Sequence, residues 1–115
     1  MCHVLIIEDD WLIADHIAHR ALAAGAVSID MAESEEDAVA CALAHPPAVI
    51  ISDVHLGAGT GPGAVARIVA TLGELPVIFV TGEPRAFRPA APAMHVLHKP
   101  VDDRTLDATL RAVIP

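Results

Sequence analysis

The sequence predicts an α/β fold, a doubly wound sheet of five parallel strands with (βα)5 organisation, and three observations carry the prediction. Five short, largely apolar runs, at residues 3–7, 26–31, 48–52, 76–80 and 94–98, are separated by stretches most of which suit a helix. Right-handed crossovers of that kind return each strand parallel to the last and place helices on both faces. At 115 residues the chain has room for one core and no second folded unit, so residues 1–115 read as a single domain. Four of the five runs end in residues that carry chemistry, Glu8-Asp9, Asp53, Thr81 and Lys99. In sheets of this type the functional crevice lies outside the C-terminal strand ends.

Each element has its own local reason. His3-Val4-Leu5-Ile6-Ile7 is a continuous apolar run, as a strand covered on both faces requires. Asp10 can cap a helix from about Trp11 to Ala24 whose inward face carries Ile13, Ile17 and Ala21, with Ala14 and Ala18 beside them; Gly25 stops it. A short second strand spans Ala26 to Met31. Ser34-Glu35-Glu36-Asp37 then opens a helix in capping-box style, with acids at the positive end of the helix dipole. That helix runs to about Ala44 with Ala38, Val39, Ala42 and Leu43 inward, and Pro46-Pro47 ends it.

The third strand is Ala48 to Ser52, followed by Asp53 and a loop from His55 to Gly61. Gly57, Gly59, Gly61 and Gly63 make neither a GxGxxG nor a P-loop and are read as flexibility. Pro62 suits an early helical position, Val65, Ile68, Val69 and Leu72 form one stripe, and Gly73 terminates that helix. Pro76 to Val80 is the fourth strand. Residues 83–93 hold Pro84, Pro89 and Pro92, so the fourth helix is expected to be short or irregular, at most about two turns. Met94 to His98 is the fifth strand, and Asp102 or Asp103 caps a last helix that buries Leu106, Leu110 and Val113.

Composition narrows the function. A net charge of −8 disfavours nucleic acid and anionic membrane surfaces, both of which select clustered Lys and Arg. With 54% hydrophobic but only 3% aromatic residues, the core is built from aliphatic side chains and 22 alanines. Cys2 and Cys41 have no CxxC spacing, and no leader or apolar run near 18 residues is present, so a reduced cytoplasmic protein is expected. The seven histidines show no HExxH or paired spacing with cysteine, which gives no reason in the sequence for a histidine metal site.

The acids need a partner. If Glu8, Asp9 and Asp53 converge, like charges about 4 Å apart repel by roughly 4 kcal/mol at an effective dielectric near 20. Protonation or a cation must relieve that, and an all-oxygen, partly hydrated site suits Mg²⁺. A lysine and a threonine hydroxyl at the same rim suit an anion arriving with the metal, with phosphate the natural candidate.

Ile7-Glu8-Asp9-Asp10, Ser52-Asp53-Val54, Val80-Thr81-Gly82 and Lys99-Pro100, in this order and at these strand ends, resemble the receiver domain of two-component response regulators over essentially the whole chain. That resemblance implies a flavodoxin-like sheet of strand order 2-1-3-4-5. It implies a signalling phosphoacceptor and not an enzyme with external substrates, its only catalysis being its own phosphotransfer and dephosphorylation. Asp53 would accept a phosphoryl group from a sensor histidine kinase or histidine phosphotransfer protein. Glu8, Asp9, Asp53 and the backbone carbonyl of His55 would hold Mg²⁺, with Mn²⁺ as an alternative ion. Lys99 would pair with the phosphoryl group and Thr81 would move its hydroxyl onto it, switching a surface for a downstream protein partner; the resemblance also leaves room for a homodimer. It often brings a cis Lys-Pro bond, here Lys99-Pro100.

Two departures stand out. The usual aromatic switch residue, three before the lysine, is here Val96, and only 18 positions separate Thr81 from Lys99. Both, with the run Pro76 to Pro84, look like an alphaproteobacterial branch of receivers that includes those of the general stress response. The competing readings are a degenerate receiver acting as a phosphorylation-independent interaction module, and a Mg²⁺-dependent phosphohydrolase, which would need a substrate lid that the sequence does not offer. Trp11, beside the acidic cluster, would report metal or phosphoryl binding.

Overall fold

The computed structural model describes residues 2–83 and 94–115. Five parallel strands form one sheet in the order β2-β1-β3-β4-β5, where β1 is His3–Ile7, β2 Ser28–Ala32, β3 Val49–Asp53, β4 Val77–Thr81 and β5 Met94–His98. Four helices among the described residues cover it: α1 Trp11–Ala23, α2 Glu35–Ala44, α3 Gly61–Leu72 and α4 Asp103–Val113. The predicted (βα)5 sheet and its strand order are borne out. The short helix expected in residues 83–93 lies, beyond Glu83, outside the described residues.

The central strands are apolar at every position because each face of the sheet has its own core. Val4, Ile6, Val49, Ile51, Ile78 and Val80 point to one face and pack with Ala14, Ile17, Ala18 and Ala21 of α1 and Leu106 and Leu110 of α4. Leu5, Ile7, Ile50, Val77 and Phe79, one residue out of phase, point to the other and meet Ala38 and Ala42 of α2 and Ala64, Val65 and Ile68 of α3. The period of two in a strand divides a continuous run between two cores. Burying one such aliphatic side chain contributes roughly 1.5–3 kcal/mol. Alanines on the inward helix stripes let α1 and α2 lie close to the sheet.

Caps set the ends of the helices. Asp10, Ser34, Thr60 and Asp102 each accept from backbone N–H groups of the first turn, as in Thr105 N to Asp102 Oδ1 at 2.8 Å. The second strand begins two residues later than the sequence indicates. Gly25 turns the chain at φ 117°, Ala26 N–H still donates to Ala21 O at 3.0 Å, and Val27 N–H donates to Cys2 O, so pairing with β1 starts at His3 and Ser28. Two residues assigned inward are half exposed. Leu43 is one position past Ala42, rotated off the narrow stripe, and Leu72 lies in the last turn, beyond Ile68 where the buried stripe ends. Among the described residues no helix is long and apolar enough to cross a membrane.

Gly61 is a close approach, not a flexible joint. A Cβ there would stand 1.8 Å from the carbonyl oxygen of Asp53 and 2.3 Å from Ser52 Oγ. Gly61 N–H also donates to Val54 O at 3.0 Å, which draws the start of α3 against the end of β3. Gly61→Ala is therefore expected to cost about 3 kcal/mol or more in urea denaturation. Gly82→Ala, where an added Cβ meets nothing within 4 Å, should be close to neutral. Equal stability of the two variants would disprove the close approach.

Candidate functional site

Register places the chemistry. β1 and β3 are neighbours with Ile7 opposite Ser52, so Glu8 and Asp53 are the next residues along two adjacent strands. Asp53 is opposite Val80 on β4, and Thr81 is opposite His98 on β5, so Thr81 and Lys99 follow at the same rim. All four lie at C-terminal strand ends, where the exposed strand termini of a doubly wound sheet form a crevice.

The side chains converge as expected. Glu8, Asp9 and Asp53 offer carboxylate oxygens that all lie within 4.8 Å of one another. Lys99 Nζ donates to Asp53 Oδ2 at 3.0 Å and reaches Glu8 Oε2 at 3.5 Å. Lys99 is itself held in place, because its backbone N–H donates to Thr81 O at 2.8 Å; the Lys99-Pro100 peptide is cis. Asp9 Oδ2 accepts from Gly57 N–H at 2.9 Å, which ties the loop after β3 to the end of β1. Thr81 is buried, and its hydroxyl accepts from Glu83 N–H at 3.1 Å, so it is joined to the group through β4 and through the backbone of Lys99. His55 is exposed and forms an isolated bridge with Thr60.

Burial and charge act against each other here. Glu8 is only 3% exposed, and loss of hydration, with Asp53 beside it, pushes its carboxyl up to about 7, although the Asp10 N–H bond and Lys99 pull the other way. Burial alone would lower the Lys99 ammonium. The hydrogen bond to Asp53 and the charges of Glu8 and Asp53 outweigh it and hold Lys99 above its ordinary value. Among the described residues, the Lys99 ammonium thus meets two of the three clustered carboxylates, Asp53 and Glu8. The donor set is all oxygen, partly open at Asp9 and crowded with negative charge, which fits a small hard dication such as Mg²⁺ and offers nothing to a soft metal.

The sequence did not reveal one residue that organises this rim. Glu35, at the start of α2, accepts from Thr60 N–H at 3.2 Å and from Arg67 at 3.2 Å. A Cβ at Gly59 would stand 2.5 Å from Glu35 Cβ, and one at Gly63 2.5 Å from Glu35 Oε1. Glu35 therefore packs into the glycine-rich segment and braces the loop that follows Asp53. The spaced glycines were its signal in the sequence, and a reading as flexibility missed it. Val96 is half-buried, opposite Phe79 and packed against the α2–α3 core, so an aliphatic residue fills the position where an aromatic was expected from the resemblance.

Comparison with known proteins agrees with this arrangement. The family model described as the response regulator receiver domain matches residues 4–111. Among solved structures, a two component transcriptional regulator AraC from Clostridium phytofermentans is 26% identical with a TM-score of 0.86, covering 99% of this chain and 92% of that one. The chemotaxis protein CheY4 of Vibrio cholerae is 28% identical with a TM-score of 0.84 and 99% coverage of both chains. The response regulator PhyR from Brucella abortus is 28% identical with a TM-score of 0.83 over 98% of this chain, which spans only 47% of that one. Among curated proteins there is no match.

The raised Glu8 carboxyl predicts a pH dependence of stability. A carboxyl whose folded value exceeds its unfolded value of 4.5 stabilises the fold while protonated, and that contribution is lost as pH rises through about 7. Complete ionisation corresponds to roughly 3 kcal/mol. In EDTA the melting temperature should fall between about pH 5 and pH 8, and Mg²⁺ should flatten the fall. Glu8→Gln should remove this component; a wild-type slope in that variant would assign it to another group.

Proposed function

The chain belongs to the response regulator receiver domain family of two-component signalling, and within that family we propose that it is a phosphoacceptor, with residues 1–115 forming a single receiver in the cytoplasm. The observation that carries the reading is Asp53 at a strand end with Lys99 Nζ at 3.0 Å and the Glu8 and Asp9 carboxylates beside it. An Asp53 oxygen attacks the phosphorus of a phosphohistidine on a sensor histidine kinase or histidine phosphotransfer protein. The new P–O bond forms as the P–N bond breaks, and the imidazole leaves.

Little covalent work is asked of the protein, because phosphoryl transfer is helped chiefly by positioning and by neutralising charge on the equatorial oxygens. Lys99 supplies one positive charge. Glu8, Asp9, Asp53 and the His55 carbonyl would hold Mg²⁺ or Mn²⁺, which when bound supplies further neutralisation of the transferred group. The acyl phosphate carries roughly −1.5 to −2 charges where the Asp53 carboxylate carried one, so the rim gains about one negative charge or less, together with new acceptor oxygens. Thr81 exchanges its bond from Glu83 N–H for the phosphoryl oxygens, and Lys99 follows. Movement at these two positions biases the loop after β4 and the surface beside β5 for a downstream protein partner.

A second reading is supported by Val96. Without an aromatic to rotate, the chain would serve as an interaction module whose partner affinity does not depend on phosphorylation. The readings separate with beryllofluoride and Mg²⁺. A phosphoacceptor responds with a change in the fluorescence of Trp11, which is 62% exposed, and with altered partner affinity; the module shows neither.

Incubation with a small phosphodonor and Mg²⁺ should give one acid-stable, base-labile phosphorylation, abolished in Asp53→Asn. Lys99→Ala should slow labelling by roughly a hundredfold, in the range of losing one charge-stabilising donor. Omission of the metal should prevent labelling. Modification that persists in Asp53→Asn would refute the assignment, and steady phosphate release from generic phosphoesters would indicate a phosphohydrolase instead.

A further inference from the structure

At the opposite edge of the sheet, the fold assembles a group that the sequence keeps apart: His3 at the start of β1, Asp30 in β2 and His45 at the end of α2. Their ligand atoms all lie within 4.8 Å of one another. His3 Nε2 is 3.0 Å from Asp30 Oδ2, and His45 Nδ1 is 3.6 Å from the same oxygen. The geometry points to a second metal site, a two-histidine, one-carboxylate centre for an imidazole-preferring divalent ion of the Zn²⁺ type.

Several observations converge on it. Ligands about 2.0–2.1 Å from a tetrahedral ion stand about 3.3 Å apart, and the two measured separations bracket that edge. His3 Nδ1 is 2.6 Å from Ser28 Oγ. A proton on Nδ1, donated to that hydroxyl, leaves the Nε2 lone pair facing Asp30, the outer hydrogen bond by which metal-binding histidines are usually oriented. The His3 and His45 rings are 5.0 Å apart and tilted at 56°, so neither ring is stacked flat on the other. His45 is the C-cap of α2, and α2 has no basic residue in its last turn, so a cation there meets the negative end of the helix dipole. With side-chain exposures of 17%, 32% and 74% for His3, Asp30 and His45, the group has a closed inner side and an open outer one through which an ion can enter.

The two sites select different ions. Glu8, Asp9 and Asp53 offer only oxygen, whereas two imidazoles and one carboxylate favour zinc-like ions over Mg²⁺. They are also separate in space, since Glu8 follows His3 by five residues along an extended strand, about 17 Å at ~3.3 Å per residue. An ion held by His3, Asp30 and His45 would pin β1, β2 and α2 together and stabilise the folded state by mass action.

The test titrates the protein with ZnCl₂ in excess Mg²⁺, which occupies the acidic rim, and follows it by calorimetry and thermal melting. The expected result is one equivalent of saturable Zn²⁺ binding with a rise in melting temperature. His45→Ala, at an exposed position, and Asp30→Asn should each weaken binding by at least about a hundredfold, the upper end of what loss of an outer-shell partner costs, while melting like the parent in EDTA. Absence of saturable binding would mean that the group is only an ion pair between His3 and Asp30. Binding that neither substitution weakens would place the ion elsewhere; either result overturns the proposal.

Discussion

The concentration of negative charge at the C-terminal edge of the sheet is the constraint on which the rest of the structure depends. Glu8, Asp9 and Asp53 are brought together by strand pairing that the two cores enforce, and among the described residues the ammonium of Lys99 is what the fold places against Asp53 and Glu8. Burial makes the arrangement costly: Glu8 is held near neutrality by its own desolvation, and that penalty can be offset by a cation bound in its place. A cation bound at this cluster would therefore be linked to stability through the Glu8 carboxyl.

Several features that look like ordinary folding devices also support this edge. Gly61 brings the start of α3 against the carbonyl of Asp53, Gly57 N–H fixes Asp9, and Glu35 braces the glycine-rich loop from the side while bonding to Arg67 of α3. The loop after β3 is thus defined by packing. The proposed phosphoacceptor role would gain from such rigidity, because positioning is the main contribution that a protein makes to phosphoryl transfer.

The opposite edge of the sheet has a different character. There the strands begin, and the polar residues are histidines, a serine and an aspartate in place of a carboxylate cluster. The alternation that divides β1 between two cores also sets His3 on the α2 face with Leu5 and Ile7, within reach of the end of α2. A parallel sheet covered by antiparallel helices brings helix C-termini to the strand starts, which is why His45 and His3 meet although 42 residues separate them.

The sequence by itself determined the sheet, its strand order through the resemblance, the caps at Asp10 and Ser34, a cap at Asp102 or Asp103, and the convergence of Glu8, Asp9, Asp53 and Lys99. These were legible because hydrophobic periodicity and residues at strand ends are local signals, and a parallel topology converts them into one rim. The tertiary structure alone decided the late start of β2, the half-exposed positions of Leu43 and Leu72, the brace made by Glu35, the close approach at Gly61 and the meeting of His3, Asp30 and His45. Each of these depends on the distance or rotation between elements far apart in the chain. Periodicity reports which face of an element is apolar; it carries no information about which polar side chains meet across the gaps between elements.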